Sequence, residues 1–317
     1  MGKGRLFFVV LAVCFAIALM SPSAMAQKKL VIGMACKSLS NPAIKQMADA
    51  AKATADKLGV EVIILSSQGF SALEEQIHQV EDLIQKKVDV IGIQCVDSKG
   101  VIPVIQEANK KNVPVIAFDT GADGGKLATF VATDNYKAGK IAGEWMVSEL
   151  QGAGKVAMIE GTPGSQQGRD RKRGFHEIIA KEKGIKMVAS IPANFERAKG
   201  MEVMEDILTA NPGINGVFCA NDEMALGGME ALKQRKLLGK VTLLGMNGVP
   251  EALKAVYKGE MQGTVVQYLE YVGEMFVRSA IRASKGEKLP AYIDTGVSIA
   301  DTKFLKKVYG SFNLTPQ

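Results

Sequence analysis

Histidine is nearly missing from this chain: 317 residues carry two, His78 and His176, and both fall in segments of helical periodicity. That shortage removes the usual general base and the commonest metal ligand, and four scattered cysteines form neither a zinc cluster nor a disulfide framework. Signatures of phosphate and nucleophile chemistry are missing too. No Gly-Lys-Ser/Thr loop or Gly-x-Gly-x-x-Gly turn occurs, and Gly164-Ser-Gln-Gln-Gly168 lacks the order of a nucleophile elbow. Aromatics amount to 6%, with one tryptophan, and do not interleave with basic clusters as in nucleic-acid binders. No apolar run approaches the ~20 residues of a membrane span. The expectation is a protein that is not an enzyme, with no metal, no cofactor and no nucleic-acid partner.

What is present begins with an export signal. Met1 to Arg5 carries two basic residues, Leu6 to Met20 is an apolar run of 15, and Ala24-Met25-Ala26 sets small residues where a signal peptidase reads. The predicted cut follows Ala26 and places the mature chain in the periplasm. Cys14 follows Leu-Ala-Val, as at a lipoprotein site, but lies inside the apolar run rather than at its end. Cleavage leaves 291 residues, enough for two lobes with separate cores. Lys3 and Arg5 go with the leader, so 37 basic residues face 33 acidic ones, a net charge of +4 that implies solubility only. Cys36, Cys95 and Cys219 remain and read as buried strand-end thiols.

Beyond the leader one unit repeats: a short apolar run, a polar or Gly-rich bend, then a segment with apolar residues three and four apart, which is strand followed by helix. The first five strands are predicted at Leu30–Ala35, Val60–Leu65, Val88–Gln94, Val113–Phe118 and Phe130–Thr133. The next five are predicted at Lys155–Ile159, Lys186–Ile191, Gly216–Cys219, Val241–Gly245 and Gly263–Gln267. Unbroken apolar runs suit strands covered on both faces, hence mainly parallel sheets. Asn41-Pro42 reads as a helix cap with proline in the first turn, and Ser71-Ala-Leu-Glu74 as a capping box. Ten strands exceed one comfortable twisted sheet. The expected architecture is α/β, with two Rossmann-like lobes comprising residues 27–133 plus 268–296 and residues 134–267 plus 297–317. Three crossings, near Thr133, Gln267 and Val297, join them as a hinge.

Ligands of open parallel sheets bind beyond the carboxyl ends of the strands. Polar residues gather there: Lys37 and Asn41 after the first strand, Asp119 and Thr120 after the fourth, Arg171 beyond the sixth and Phe195 after the seventh. Asn221 and Asp222 close the eighth, Asn247 the ninth and Gln267 the tenth. Carboxylates and amides hydrogen-bond hydroxyls, arginine donates a rigid fork, and an aromatic face stacks on the apolar side of a sugar.

Over nearly all its mature length the chain resembles the ribose-binding branch of periplasmic sugar receptors. The stretches that carry the resemblance are Leu39-Ser-Asn-Pro42, Phe118-Asp-Thr120, Ala132-Thr-Asp-Asn135, Arg169-Asp-Arg-Lys-Arg-Gly-Phe175, Ala193-Asn-Phe-Glu-Arg197 and Asn221-Asp-Glu-Met-Ala-Leu-Gly227. In that family the positions of Asn41, Asp119, Arg171, Phe195, Asn221, Asn247 and Gln267 line the ligand cleft, and Lys37 matches a lysine of similar arabinose-type receptors. The resemblance implies a monomeric solute-binding protein that takes a sugar or polyol between its lobes. It would deliver that ligand to a permease driven by an ATPase of an ABC importer, and a chemoreceptor is a further partner. The departures bear on the ligand. Ala43 and Ile44 replace two aromatics, Thr120 replaces an arginine and Asn247 replaces an aspartate, which argues against ribose and predicts less stacking surface.

Each candidate also has a plain structural reading. Asn41 and Asn221 suffice as helix caps, Asp119 as a turn residue, Phe195 as core, and Arg171 as one charge in a solvated stretch with Arg169, Lys172 and Arg173. Two other functions fit the scaffold: a signalling receptor for a furanosyl autoinducer, and a periplasmic enzyme, for which no nucleophile and base stand at the strand ends. A sugar-responsive transcription regulator would need a DNA-binding helix pair where this chain has its leader.

Overall fold

The computed structural model describes residues 29–311, so the export signal predicted over 1–26, with its cut after Ala26, lies outside the described residues. Strand and helix alternate through β1 (Val31–Cys36), α1 (Pro42–Leu58), β2 (Glu61–Ser66), α2 (Leu73–Gln85), β3 (Val90–Ile93), α3 (Ile102–Lys110), β4 (Val115–Phe118) and β5 (Thr129–Ala132). The same alternation continues in α4 (Asn135–Glu149), β6 (Gly154–Glu160), α5 (Gln166–Ile179), β7 (Ile185–Pro192), α6 (Arg197–Ala210), β8 (Gly216–Cys219), α7 (Asp222–Gln234), β9 (Thr242–Asn247), α8 (Pro250–Lys258) and β10 (Gly263–Gln267). Then follow α9 (Leu269–Ser284), β11 (Tyr292–Asp294), β12 (Val297–Asp301) and α10 (Thr302–Ser311).

The strands form two six-stranded sheets, ordered β11-β5-β4-β3-β1-β2 and β12-β10-β9-β8-β6-β7. Pairing is parallel except between β10 and β12. Central strands such as β3, β4 and β8 are buried at every residue, as helices on both faces require. The expected α/β fold of two lobes is present.

Twelve strands stand among the described residues where the sequence pattern gave ten. The additional pair, β11 and β12, are edge strands, and β11 has three residues with an exposed Tyr292 and Asp294, too short and too polar for an apolar run to mark. The capping box is also corrected: α2 begins after Ala72 without a side-chain cap, and Glu75, not Glu74, reaches back to accept from the Gln68 amide at 2.7 Å. Helix α1 follows expectation, for Asn41 Oδ1 accepts from the Ala43 and Ile44 amides at 3.0 and 3.4 Å while Pro42 fills the first turn.

The chain passes between sheets after β5, between β10 and α9, and between β11 and β12. At the first and third passages Thr133 Oγ1 donates to the Gly296 carbonyl at 3.2 Å, so these segments run side by side. Helix α9 returns to the first lobe. Its Phe276 ring packs 5.1 Å from Phe118, and a Cβ on Gly273 would lie 2.2 Å from the Met47 carbonyl, so α9 and α1 touch backbone to backbone. No helix among the described residues is long and apolar enough to cross a membrane.

Candidate functional site

Strand order reverses between β1 and β3 in one sheet and between β6 and β8 in the other, and such switch points open a crevice at the carboxyl ends of the strands. The two crevices share a space of about 280 Å³, and all eight residues singled out from the sequence line it. From the first lobe come Lys37 after β1, Asn41 at the start of α1 and Asp119 after β4. From the second come Arg171 on α5, Phe195 between β7 and α6, Asn221 at the start of α7, Asn247 at the end of β9 and Gln267 at the end of β10. A larger groove lined by Asn109, Lys126 and Leu289 lies instead at the amino ends of β4 and β5, away from these groups.

Sequence reasoning missed Phe70, Gln94 and Gln167. Gln94 follows β3 as Asp119 follows β4, so the strand-end rule points to it once β3 is known to end at Ile93. Gln167 opens α5 one turn ahead of Arg171, a signal of the same kind. Phe70 sits in the β2–α2 loop, where no periodicity marks it, and it adds an aromatic to a lining that has Ala43 and Ile44 on α1. Its ring lies 5.8 Å from that of Phe195, tilted by 49°, so one aromatic from each lobe borders the space. Ala43, Ile44 and Met47 of α1 add an apolar wall.

The charged groups are arranged as a relay. Lys37 Nζ donates to Thr120 Oγ1 at 2.7 Å, and Thr120 donates to Asp119 Oδ2 at 3.2 Å. Asp119 also accepts from Gln94 Nε2 and, across the cleft, from Gln167 Nε2, both at 2.8 Å. The carboxylate is therefore already held by three donors, where the sequence left it free for ligand. Arg171 is 1% exposed; its Nε donates to Asn135 Oδ1 at 2.9 Å and its Nη1 to the Ala220 carbonyl at 2.6 Å, while Nη2 is buried without a partner. The caps double as wall: Asn221 accepts from the Met224 amide at 2.9 Å and donates to the Phe195 carbonyl at 3.0 Å. Gln267 Nε2 holds Asn247 Oδ1 at 2.8 Å.

Burial pulls Lys37 down to about 8, against the opposing pull of Asp119 and Cys95 and with further lowering by Arg171. Burial likewise brings Arg171 down to about 10, with Asp119 and Asp222 opposing. Between about 8 and the 10.5 of an unfolded lysine, the unfolded chain keeps a proton that the native state has released, so this contribution to stability is complete above 10.5 and lost as pH falls through 8. Its size is about 3 kcal/mol, at 1.36 kcal/mol per pH unit. Urea unfolding of the unliganded protein should thus show wild type gaining on Lys37→Met between pH 8 and 10.5; parallel curves would remove the burial cost assigned to Lys37. The thiols are free and buried, and burial pushes Cys36 and Cys95 up to about 12.

Three lining residues have left-handed backbone: Asp119 at φ 57°, Phe195 at 65° and Asn247 at 140°. Such conformations cost about 1–3 kcal/mol for non-glycine residues and persist where surroundings fix them. Asp222, fully buried behind the wall, fixes Asn247 by accepting from the Gly248 and Val249 amides at 2.7 and 2.9 Å and from Thr264 Oγ1 at 2.7 Å; burial pushes its carboxyl up to about 6. Phe195 leans on Gly161, where a Cβ would lie 2.0 Å from the ring, so only glycine leaves the ring in place.

The lobes meet along one rim. Ser98 N donates to the Gly164 carbonyl at 3.1 Å, Gln166 N donates to Ser98 Oγ at 2.9 Å, and Arg169 pairs with Asp123 at 2.7 Å. Arg169, which shares a charged stretch with Arg171, is thus a rim residue and not part of the lining. Its side chain is 41% exposed and that of Asp123 25%, and exposed pairs contribute about 0.2–1 kcal/mol. Arg169→Ala should therefore weaken ligand binding by less than about fivefold in calorimetry; a larger loss would place Arg169 in the site.

A family model described as a periplasmic binding protein domain matches residues 32–288. The ribose import binding protein of Escherichia coli is 36% identical over 269 residues, covering 85% of this chain and 90% of that protein. A periplasmic solute-binding protein from Actinobacillus succinogenes with bound D-allose superposes with a TM-score of 0.84 at 32% identity, over 88% of this chain and 100% of the other. A carbohydrate transporter solute-binding protein from Agrobacterium radiobacter in complex with D-arabinose gives 0.85 at 29% identity, over 90% and 99%. With two α/β lobes, three crossings and polar strand ends around a shared space, the chain belongs to the periplasmic binding protein family.

Proposed function

We propose that the chain is the periplasmic solute receptor of an ABC importer, and that it binds a small polyhydroxylated ligand, a monosaccharide or sugar alcohol, between its lobes. The observation that carries this reading is the lining itself: hydrogen-bonding groups from both lobes, with Phe70 and Phe195, converge on one space between the lobes. The D-allose and D-arabinose complexes of similar proteins support the ligand class. Lys37, Asn41, Asp119, Arg171, Phe195, Asn221, Asn247 and Gln267 are its contacts in this proposal. The lobes divide at residues 27–133 plus 268–296 and 134–267 plus 297–317, and rock about the three crossings. The leader delivers the protein to the periplasm, where a permease and its ATPase, or a chemoreceptor, read the closed form.

An enzymatic role finds less support. His176 Nε2 lies 2.8 Å from Ser190 Oγ, but that hydroxyl donates to Glu160 Oε1 at 2.6 Å, so the carboxylate holds the serine rather than orienting the imidazole. These residues are also outside the lining of the cleft.

The test is a thermal-shift screen of pentoses, hexoses, tetritols, pentitols and sugar acids. A ligand present at a hundredfold excess over its Kd stabilises by about 2.7 kcal/mol, which is several degrees of melting temperature. Shifts with amino acids and none with polyols would refute the ligand class.

A further inference from the structure

Among the residues lining the cleft, Lys37 and Arg171 are cationic and Asp119 alone is anionic. Among the described residues neither cation forms an ion pair; Lys37 Nζ has one hydrogen-bond partner, the neutral Thr120 hydroxyl, and lies 5.7 and 6.0 Å from the Phe195 and Phe70 ring centres, while Arg171, 1% exposed, sits 5.8 Å from the Phe195 ring centre with Nη2 in no hydrogen bond. Asp222 stands behind the wall, engaged by three donors of its own lobe. The acceptors are largely occupied: Asp119 receives Gln94, Gln167 and Thr120, Asn247 Oδ1 receives Gln267, and Asn41 Oδ1 receives two amides of α1.

The cleft therefore presents strong donors in excess, two of them on buried charges. A neutral polyol answers this poorly, because each hydroxyl that accepts a bond also brings a hydrogen that must find an acceptor. A carboxylate only accepts, and it matches both the fork of Arg171 and the point charge of Lys37. A phosphate monoester carries about −1.5 to −2 at neutral pH and would overshoot a lining whose excess is a single charge, with Asp119 left to repel it.

We propose that the ligand is a polyhydroxylated carboxylic acid of four to six carbons, an aldonate or similar sugar acid, whose carboxylate is received by Lys37 and Arg171 while Asp119 and the amides take its hydroxyls. This rests on the sugar-class reading above and narrows it.

Calorimetry at pH 7 on matched sets separates the two: D-erythronate with erythritol and D-erythrose, D-ribonate with ribitol and D-ribose, and D-gluconate with glucitol and D-glucose. The expected result is that at least one acid binds tenfold or more tighter than both neutral partners, and that Lys37→Gln narrows this gap at least tenfold. If the variant does not fold, the wild-type comparison decides alone. A neutral member as the tightest binder of all nine compounds, or acids within tenfold of their neutral partners in every set, overturns the proposal and leaves the polyol reading standing. Tighter binding of erythrose 4-phosphate or ribose 5-phosphate than of any acid overturns it in favour of phosphate. If no sugar, sugar alcohol, sugar acid or sugar phosphate binds, both readings fall.

Discussion

Asp119→Ala should lower affinity for the ligand a hundredfold or more. The carboxylate is the single anion of the lining and one of the points where the lobes join, through Gln167. Hydrogen bonds to charged groups contribute about 1.5–3 kcal/mol each, so losing one or two, together with the groups that Asp119 positions, removes about 3 kcal/mol or more. The backbone at φ 57° also makes alanine costly to the fold, because alanine adopts left-handed conformation less readily than aspartate or asparagine. Asp119→Ala should therefore also melt somewhat earlier, whereas Asp119→Asn keeps the backbone and the bonds to one oxygen and loses the charge and the second acceptor. Calorimetric affinity and melting temperature of both variants separate the roles. Unchanged affinity with a lowered melting temperature in Asp119→Ala would make the residue a turn element and no ligand contact.

Arg171→Met should have an effect of similar size for a different reason. Two of the guanidinium nitrogens are anchored within the second lobe and Nη2 is left buried and unpaired, an arrangement that holds a charged donor ready at the cost of stability in the empty protein. Replacing it removes the donor outright, and a loss of a hundredfold or more in affinity follows from about 3 kcal/mol of charge-assisted bonding. The melting temperature of the empty variant should change little. Ala220 O and Asn135 Oδ1 lose partners, while the lobe no longer buries an uncompensated cation. Retention of affinity within about fivefold would return Arg171 to a structural role.

The sequence showed the architecture through one device, apolar runs followed by helical periodicity, and it showed the site through another, polar residues at the ends of those runs. Both work because a parallel sheet buried on two faces leaves polar side chains only one place to converge. The device fails where elements are too short or too exposed to form a run, as in β11, and where a loop supplies a side chain without periodicity, as with Phe70. It also says nothing of partners. Asp119 read as a free carboxylate, and only its placement beside Gln94, Gln167 and the Lys37–Thr120 relay shows how much of its accepting capacity is already in use. Ser71-Ala-Leu-Glu74 carries the letters of a capping box, yet Glu75 ties the loop instead, because the helix starts at Leu73 and the serine falls outside the cap position.

The central claim is that one polyhydroxylated ligand sits between the lobes, held from both sides. A crystal structure of the protein with the compound that gives the largest thermal shift tests it most directly. The ligand is expected in the space between the lobes, within hydrogen-bond distance of Asp119 on one lobe and Arg171 on the other, with its apolar face toward Phe70 or Phe195. A ligand bound to one lobe alone, or in the groove beside Lys126 and Leu289, would contradict it.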